Sequence, residues 1–519
     1  MTTAAPTHYA ADGLRPLMSE GPLSLRGVGE ALWSRRGTLM LLALPLVPAY
    51  GFAAFNLNLA GDDWAVRAAG RKSGMATFAL QLGRWGAWFI WKHLHLLELT
   101  PALSVVVAVS SLLGFGAVAG AMLGLHRDRW AYGAFVGMMT LSPVWAEAVA
   151  FRMSAFVLLA GLVMTAALLA AWLRCWRLWL RCGWNGRLAL GLLGAAGLFM
   201  LTAAIYQVLV LLAAVMFWGA VLVDIHERRE GENPGRALGR AFGAWAASSA
   251  GGLAAYAGSV VLIFAVGDVK PMADDAYQLA NNASTVSQLL DNVSVVGRHM
   301  AQFLFLPQHL GPLVLKAPLW LGGAVLAAAV MGLPLRRGRW GLAIVSAVFL
   351  GLILLLPWAV GLLRGERAMR LNALLPLAAV MALGLGLPLL LTARSTASQR
   401  VLRSVLAAGA CLALFVSIHQ HNVGQLVTHS LNRRDFAVAQ RILERLEADP
   451  AYGSLGEAPL MYLYGRMSFP GRGGPFNTPP VHGPMDSSIV GVGILDQQTG
   501  RLPMLMQLLG SMRRFAACA

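Results

Sequence analysis

Charge is what this chain has least of. Only 13% of its 519 residues are charged, about half the share of a soluble domain, while 57% are hydrophobic. That balance excludes a solvent-bathed enzyme built around one compact core. Cysteine is nearly as scarce: Cys175, Cys182, Cys411 and Cys518 show no metal-ligand spacing. Cys175 and Cys182 fall in an arginine-rich stretch expected on the cytoplasmic side, where disulfides do not persist. There is no Walker A lysine motif and no dinucleotide fingerprint, which disfavours an ATP-driven pump or a nucleotide-sugar enzyme with a soluble catalytic domain. No repeat of 20–50 residues and no low-complexity array is present. The first 37 residues, with Asp12 and Glu20 among them, lack the layout of a cleavable signal peptide, so the first apolar run is expected to stay as an anchor.

What is present is a series of apolar runs near the length that crosses a bilayer. The net charge of +17 could suggest a nucleic-acid partner, but the arginines cluster between those runs. Cytoplasmic loops carry such clusters under the positive-inside rule, so orientation explains the charge without a polyanion. The expected fold is an all-α polytopic bundle of about eleven transmembrane helices. Residues 1–37 form a cytoplasmic segment, 38–419 the transmembrane domain with outer loops at 60–100 and 268–309, and 420–519 an outer C-terminal tail. Arg403, in an inner loop, is expected to serve orientation alone, so Arg403→Lys is expected to be nearly silent. In the tail, Asp435–Leu446 has helical periodicity that ends at Asp449-Pro450, and Ser468–Pro484 is rich in Gly and Pro.

The outer turns break the scarcity of charge. Directly after the first apolar run come Asp62 and Asp63, then Arg67, Arg71, Lys72 and Arg84-Trp85. Ionisable groups at a membrane boundary are costly unless solvated or paired, which marks a candidate site. Trp85, Trp88 and Trp91 recur every three residues, as expected of a helix on the outer interface. Other turns sent to the same side carry Glu147 with Arg152, Tyr206-Gln207, and Arg364, Glu366, Arg367 and Arg370. A carboxylate there can act as a general base on a hydroxyl. Arginines can hold a phosphate through paired hydrogen bonds. Plainer readings compete: Glu147 and Arg152 as a simple ion pair, Tyr206 as an interfacial anchor. His93, His95 and Glu98 have ligand-capable side chains but match no zinc spacing. Asn282 and Asn292 fit the glycosylation acceptor pattern, which arises often by chance.

Asp62-Asp63 after the first span, Arg67, Gly83-Arg84-Trp85, Glu147 with Phe151-Arg152, Tyr206-Gln207 and Arg367 occur in an order that resembles the membrane glucosyltransferase family II, the O-antigen-modifying enzymes of the GT-C class. The stretch Asn432–Ile442, with Asp435 and Ala439, resembles that family's exported tail, so the likeness covers roughly 55–465. The resemblance implies a GT-C fold in the bacterial inner membrane, with the N-terminus cytoplasmic and the C-terminus periplasmic. It implies a polyprenyl-phosphate-linked hexose as donor and a lipid-anchored glycan as acceptor, with membrane lipids but no nucleic acid as partners. Asp62 and Asp63, in either order, become the candidate base and its orienting or metal-binding neighbour. Arg67, Arg84, Trp85, Glu147, Arg152, Tyr206, Gln207, Arg364 and Arg367 become candidate substrate contacts. No cofactor is obligatory, although some members of the wider class use a divalent metal, which leaves Mg²⁺ or Mn²⁺ open. A transporter or flippase of lipid-linked glycans would use the same arginines but needs no acid pair. It would also tend to bind at the midplane rather than at span ends. A structural subunit of the envelope leaves the acid pair without a role.

Overall fold

Long apolar runs without internal charge form helices in a bilayer, because each backbone N–H and C=O must find its partner within the segment. The computed structural model describes residues 22–56, 75–93, 101–150, 155–227, 234–267, 269, 286–305, 313–336, 338–359, 362, 374–393, 397–450, 460–461 and 516–517. These are almost entirely helical. A two-residue parallel bridge, Leu460–Met461 with Ala516–Ala517, is the one extended pairing among them.

The chain opens with α1 (Leu25–Ser34), α2 (Arg36–Ala43) and α3 (Leu46–Phe55). Pro45 lacks the N–H that would continue α2, and α2 and α3 meet at a bend of 47°. Two short helices follow, α4 (Met75–Gln81) and α5 (Trp85–His93), then α6 (Pro101–Met122), α7 (Arg129–Leu141) and α8 (Ala146–Ala150). Next come α9 (Ala155–Cys182), α10 (Gly186–Ile205), α11 (Val208–Glu227), α12 (Pro234–Val266) and α13 (Val286–Phe305). The α14 helix (Leu313–Ala327) passes through a π-helical stretch, Ala328–Gly332, into α15 (Leu333–Arg336). Pro334 explains the stretch, since its ring would collide with an α-helical carbonyl one turn back. The set closes with α16 (Trp340–Leu355), α17 (Pro376–Leu391) and α18 (Ala397–Glu447).

Among the described residues eight helices are long and apolar enough to cross a membrane, or nine with the bent α2–α3 pair. Two apolar runs of the sequence, near 130–146 and 371–392, form α7 and α17, of 13 and 16 residues, short of a full span by length. Both lie inside the bundle, buried along most of their length. At the centre stands α11, with 94% of its apolar window buried, against 6% for the peripheral α12. Small residues let helices close up where no apolar driving force separates protein from lipid. A Cβ on Gly322 of α14 would run into the Gly384 carbonyl of α17.

Two polar staples mark opposite ends of the bundle. At one, Arg35 donates to the carbonyls of His126 and Arg127, and Arg403 pairs with Asp128, which also caps α7 by accepting from Trp130 and Ala131 N–H, both at 2.9 Å. At the other, the Tyr50 hydroxyl donates to the Thr140 carbonyl (2.8 Å) and His421 reaches the carbonyls of Leu141 and Ser142. Between Arg403 and His421 a helix climbs about 27 Å, close to the hydrocarbon thickness of a bilayer of about 30 Å. Arg403, expected to lie in an inner loop, has a structural partner in Asp128. The α18 helix continues past 419 without a break to Glu447, so the last span and the periodic stretch of the tail are one rod.

Candidate functional site

The α4–α5 turn is where Gly83-Arg84-Trp85 acquires its form. Gly83 closes α4 in the left-handed conformation, φ +73°. Its N–H meets the Leu80 carbonyl and the Arg84 N–H meets the Ala79 carbonyl, at 2.9 and 2.8 Å. That pair of bonds is a Schellman cap, and its left-handed residue is most readily glycine. The cap turns Arg84 back toward the bundle.

What Arg84 meets is the break between α10 and α11. There Tyr206 is extended, and Tyr206-Gln207 is the whole connection. The Arg84 guanidinium lies over the Tyr206 ring, 4.4 Å from its centroid, and its Nε donates to Gln207 Oε1 at 3.2 Å. The Gln207 amide nitrogen donates to the Leu82 carbonyl (3.2 Å) and to the Tyr256 hydroxyl (2.8 Å). Tyr256 in turn donates to the Gly83 carbonyl at 3.2 Å. Trp85 Nε1 donates to Ser259 Oγ at 3.0 Å, and Ser259 donates to the Tyr256 carbonyl at 2.6 Å. Three segments far apart in sequence are thus tied by their polar groups.

The geometry fixes Arg84 on one face and one edge. Its terminal nitrogens carry no hydrogen bond among the described residues, and the side chain is half-buried. A guanidinium so held is a preorganised receptor for an oxyanion, because its remaining N–H groups form a planar fork.

Four expected site residues, Arg84, Trp85, Tyr206 and Gln207, are brought together here. Asp62, Asp63, Arg67, Arg152, Arg364 and Arg367 lie outside the described residues, as do Arg71, Lys72, Glu366 and Arg370. Glu147 is on α8, reached through a 3-10 turn at Pro143–Trp145, and its side chain is not among those described. The tryptophan repeat does not simply rest on an interface. Ala87, Ile90 and Trp91 of α5 are buried against Val157 of α9 and Ile205 of α10, while Phe89 stays exposed. His93 is exposed beside the Trp88 and Phe89 rings, and His95 and Glu98 lie outside the described residues. Among the described residues no group of three or more His, Cys, Asp or Glu could hold a metal. Cys175 is buried and unpaired, and Cys182 and Cys411 are exposed and unpaired.

Two participants were not expected, Tyr256 and Ser259. They sit three apart in an apolar span, a spacing that places both on one helix face, and that was the only available signal. Also unexpected is α13, inside what reads as a long loop. Its Asn292 amide donates to the Leu362 carbonyl at 2.8 Å, and its Phe303 packs edge-on against Trp358. It thereby pins the chain two residues before Arg364.

Apolar helices of spanning length, tied by a polar knot at one end, define a multi-pass membrane protein. Residues 51–417 match the family model described as Glucosyl transferase GtrII, and the chain belongs to that family. Membership makes glycosyl transfer the class of activity it supports. The match contains the α4–α5 turn, Tyr206-Gln207 and Tyr256, and it stops short of the expected tail likeness at Asn432–Ile442. No curated protein and no solved structure matches the chain.

Proposed function

We propose that the protein is a GT-C-type transferase of the bacterial inner membrane. It moves a hexose from a polyprenyl-phosphate donor to a hydroxyl of a lipid-anchored glycan at the periplasmic face. The observation that carries this reading is the held guanidinium of Arg84, an oxyanion receptor at the end of a membrane bundle in a glucosyltransferase family. A lipid-linked donor suits a chain with so little outside the apolar helices.

In the reaction the acceptor hydroxyl oxygen forms a bond to the anomeric carbon while the bond from that carbon to the donor phosphate oxygen breaks. The leaving polyprenyl phosphate keeps the electron pair and gains a negative charge. Arg84, with Arg67 and Arg367 as further candidates, stabilises that charge as it develops, the interaction that matters most for rate. The hydroxyl proton passes to Asp62 or Asp63, on the segment joining α3 to α4, and the second aspartate orients the first.

General-base contributions are about 10²–10⁴ in rate. At least one of Asp62→Asn and Asp63→Asn should therefore lower transfer by that order in reconstituted membranes, with insertion and folded fraction unchanged. A carrier of lipid-linked glycans makes the opposite forecast, since removing a negative charge near a bound phosphate leaves transport intact. Full transfer by both single variants and the double variant would remove the acid pair from the chemistry.

A further inference from the structure

A second polar node stands where the end of α7 meets α3 and the middle of α18, and the mechanism above does not use it. His421 is 2% exposed and Tyr50 2%, and their rings stack at 4.6 Å. The node exists because α7 terminates against Pro143. The last carbonyls of a helix have no partner within it, and proline supplies no N–H to meet one of them. The Tyr50 hydroxyl proton goes to the Thr140 carbonyl at 2.8 Å. His421 Nε2 faces the Leu141 carbonyl at 3.1 Å, the Ser142 carbonyl at 3.2 Å and the Tyr50 oxygen at 3.2 Å.

Those partners assign the ring proton. Both carbonyls can only accept, and the Tyr50 hydroxyl has already donated, so Nε2 must carry the hydrogen. The neutral ring then presents Nδ1 as a bare acceptor. That atom is buried and has no hydrogen-bond partner. The preceding residue, Gln420, is 6% exposed, and its carboxamide oxygen is also buried without a donor. A buried acceptor left unmatched gives up its hydrogen bonds to water without return, so its retention calls for a ligand that donates.

The chemistry of that ligand is narrow. A phosphate brings only acceptors at neutral pH, and a lipid chain brings nothing. A hydroxyl fits. Beyond His421 the same face of α18 continues with buried Gln425, Thr428 and Asn432, at the three- and four-residue spacing of one helical stripe.

We propose that His421 forms a hydroxyl-binding subsite for the carbohydrate acceptor, with Nδ1 accepting from a sugar hydroxyl and Nε2 anchoring the ring to the end of α7. This rests on the glycosyl-transfer reading. His421 lies past residue 417, where the family match ends. It also joins α3, through Tyr50, to the end of α7.

The test separates the two ring nitrogens. His421→Gln keeps a donor where Nε2 stands and so keeps the anchor, but it removes the acceptor at Nδ1. His421→Asn does the reverse. Transfer is measured in proteoliposomes with a polyprenyl-phosphate hexose donor, titrating a lipid-anchored glycan fraction extracted from the host envelope. His421→Gln should fold as the wild type does and raise KM for the glycan about tenfold or more, with KM for the donor unchanged. A wild-type KM for the glycan in folded His421→Gln overturns the subsite. As a second readout, the Nδ1 resonance of ¹⁵N-histidine-labelled protein should shift upfield when the glycan is added. A resonance that is hydrogen-bonded from the start and does not respond to glycan means that water alone occupies the position, and this too overturns the proposal. If wild-type protein transfers no sugar from that donor, the glycosyl-transfer reading itself has failed. Loss in the aspartate variants alongside wild-type kinetics in His421→Gln removes only the subsite.

Discussion

Arg84 gains its role from atoms that never touch a substrate. The left-handed cap at Gly83 directs it, the Tyr206 ring supports its face, and Gln207 fixes its Nε. Arg84→Lys keeps the charge but loses the plane and the Nε bond. A charge-assisted hydrogen bond is worth about 1.5–3 kcal/mol, so KM for the donor should rise roughly tenfold or more. Tyr256→Phe leaves the guanidinium in place and removes only the bridge between Gln207 and the Gly83 carbonyl. It should raise the donor KM several-fold, in line with one neutral hydrogen bond of about 1 kcal/mol, with kcat largely kept. Initial rates against donor concentration, scored beside the folded fraction, check both. Equal kinetics for Arg84→Lys and wild type would show that the fork is not what binds. The sequence made Arg84, Tyr206 and Gln207 legible because they are polar groups at the ends of apolar runs. Tyr256 and Ser259 were not legible, because they sit within a run and their partners Gln207, Gly83 and Trp85 come from segments far away in sequence. His421 was hidden differently: in the polar stretch Ser417–Gln425 it reads as the place where a span stops.

Among the elements, the staple at Asp128 holds two helices by one carboxylate. One oxygen caps α7 and the other receives Arg403 of α18, with the Asp128 side chain 13% exposed. Asn caps a helix as well as Asp does, so Asp128→Asn loses only the ion pair, whereas Asp128→Ala loses the cap too, a further cost of about 1 kcal/mol. Thermal unfolding in detergent should rank wild type above Asp128→Asn and Asp128→Ala lowest. Arg403→Lys should fall near Asp128→Asn, and Arg187→Lys, at an exposed position, should match wild type. The same turn carries a pH dependence. Burial, then the charge of Arg127, holds the His126 imidazole below its ordinary pKa. The folded state therefore binds that proton less readily than the unfolded chain. Its contribution is present above the unfolded value of about 6.5 and declines as pH falls through it. Unfolding midpoints between pH 8 and 5 should drop on the acid side, and His126→Phe should flatten that slope. At this scale the long spans were plain from apolar length. The amphipathic α13 was not, because its segment read as an outer loop between charged ends.

Across the whole molecule the two ends differ in kind, and that difference predicts which face is which. Arg35, Arg127, Arg129 and Arg403 gather at the Asp128 end. Cys182, Asn185 and Arg187 lie at the α9–α10 turn, one crossing along the chain from the Ser142 end and hence on the Asp128 side. Excess arginine keeps such turns in the cytoplasm. The Arg84–Tyr206–Gln207 knot and the Tyr50–His421 node are at the other end, where a lipid-linked donor and a periplasmic glycan would meet. The exposed native Cys182 is a built-in reporter for the inner face. With the other three cysteines replaced by serine, it should resist an impermeant thiol reagent in cells whose outer membrane alone is permeabilised, and react after lysis. In a background without cysteine, Ser73→Cys, between α3 and α4, and Ser487→Cys, in the tail, should each react before lysis. These three positions report on turns separated by different numbers of crossings. A miscounted hairpin late in the chain would move Ser487→Cys to the protected side and leave Ser73→Cys reactive. Reaction of Cys182 with protection of Ser73→Cys would invert the whole bundle. The polar knot would then face the cytoplasm, and a periplasmic acceptor could not reach it.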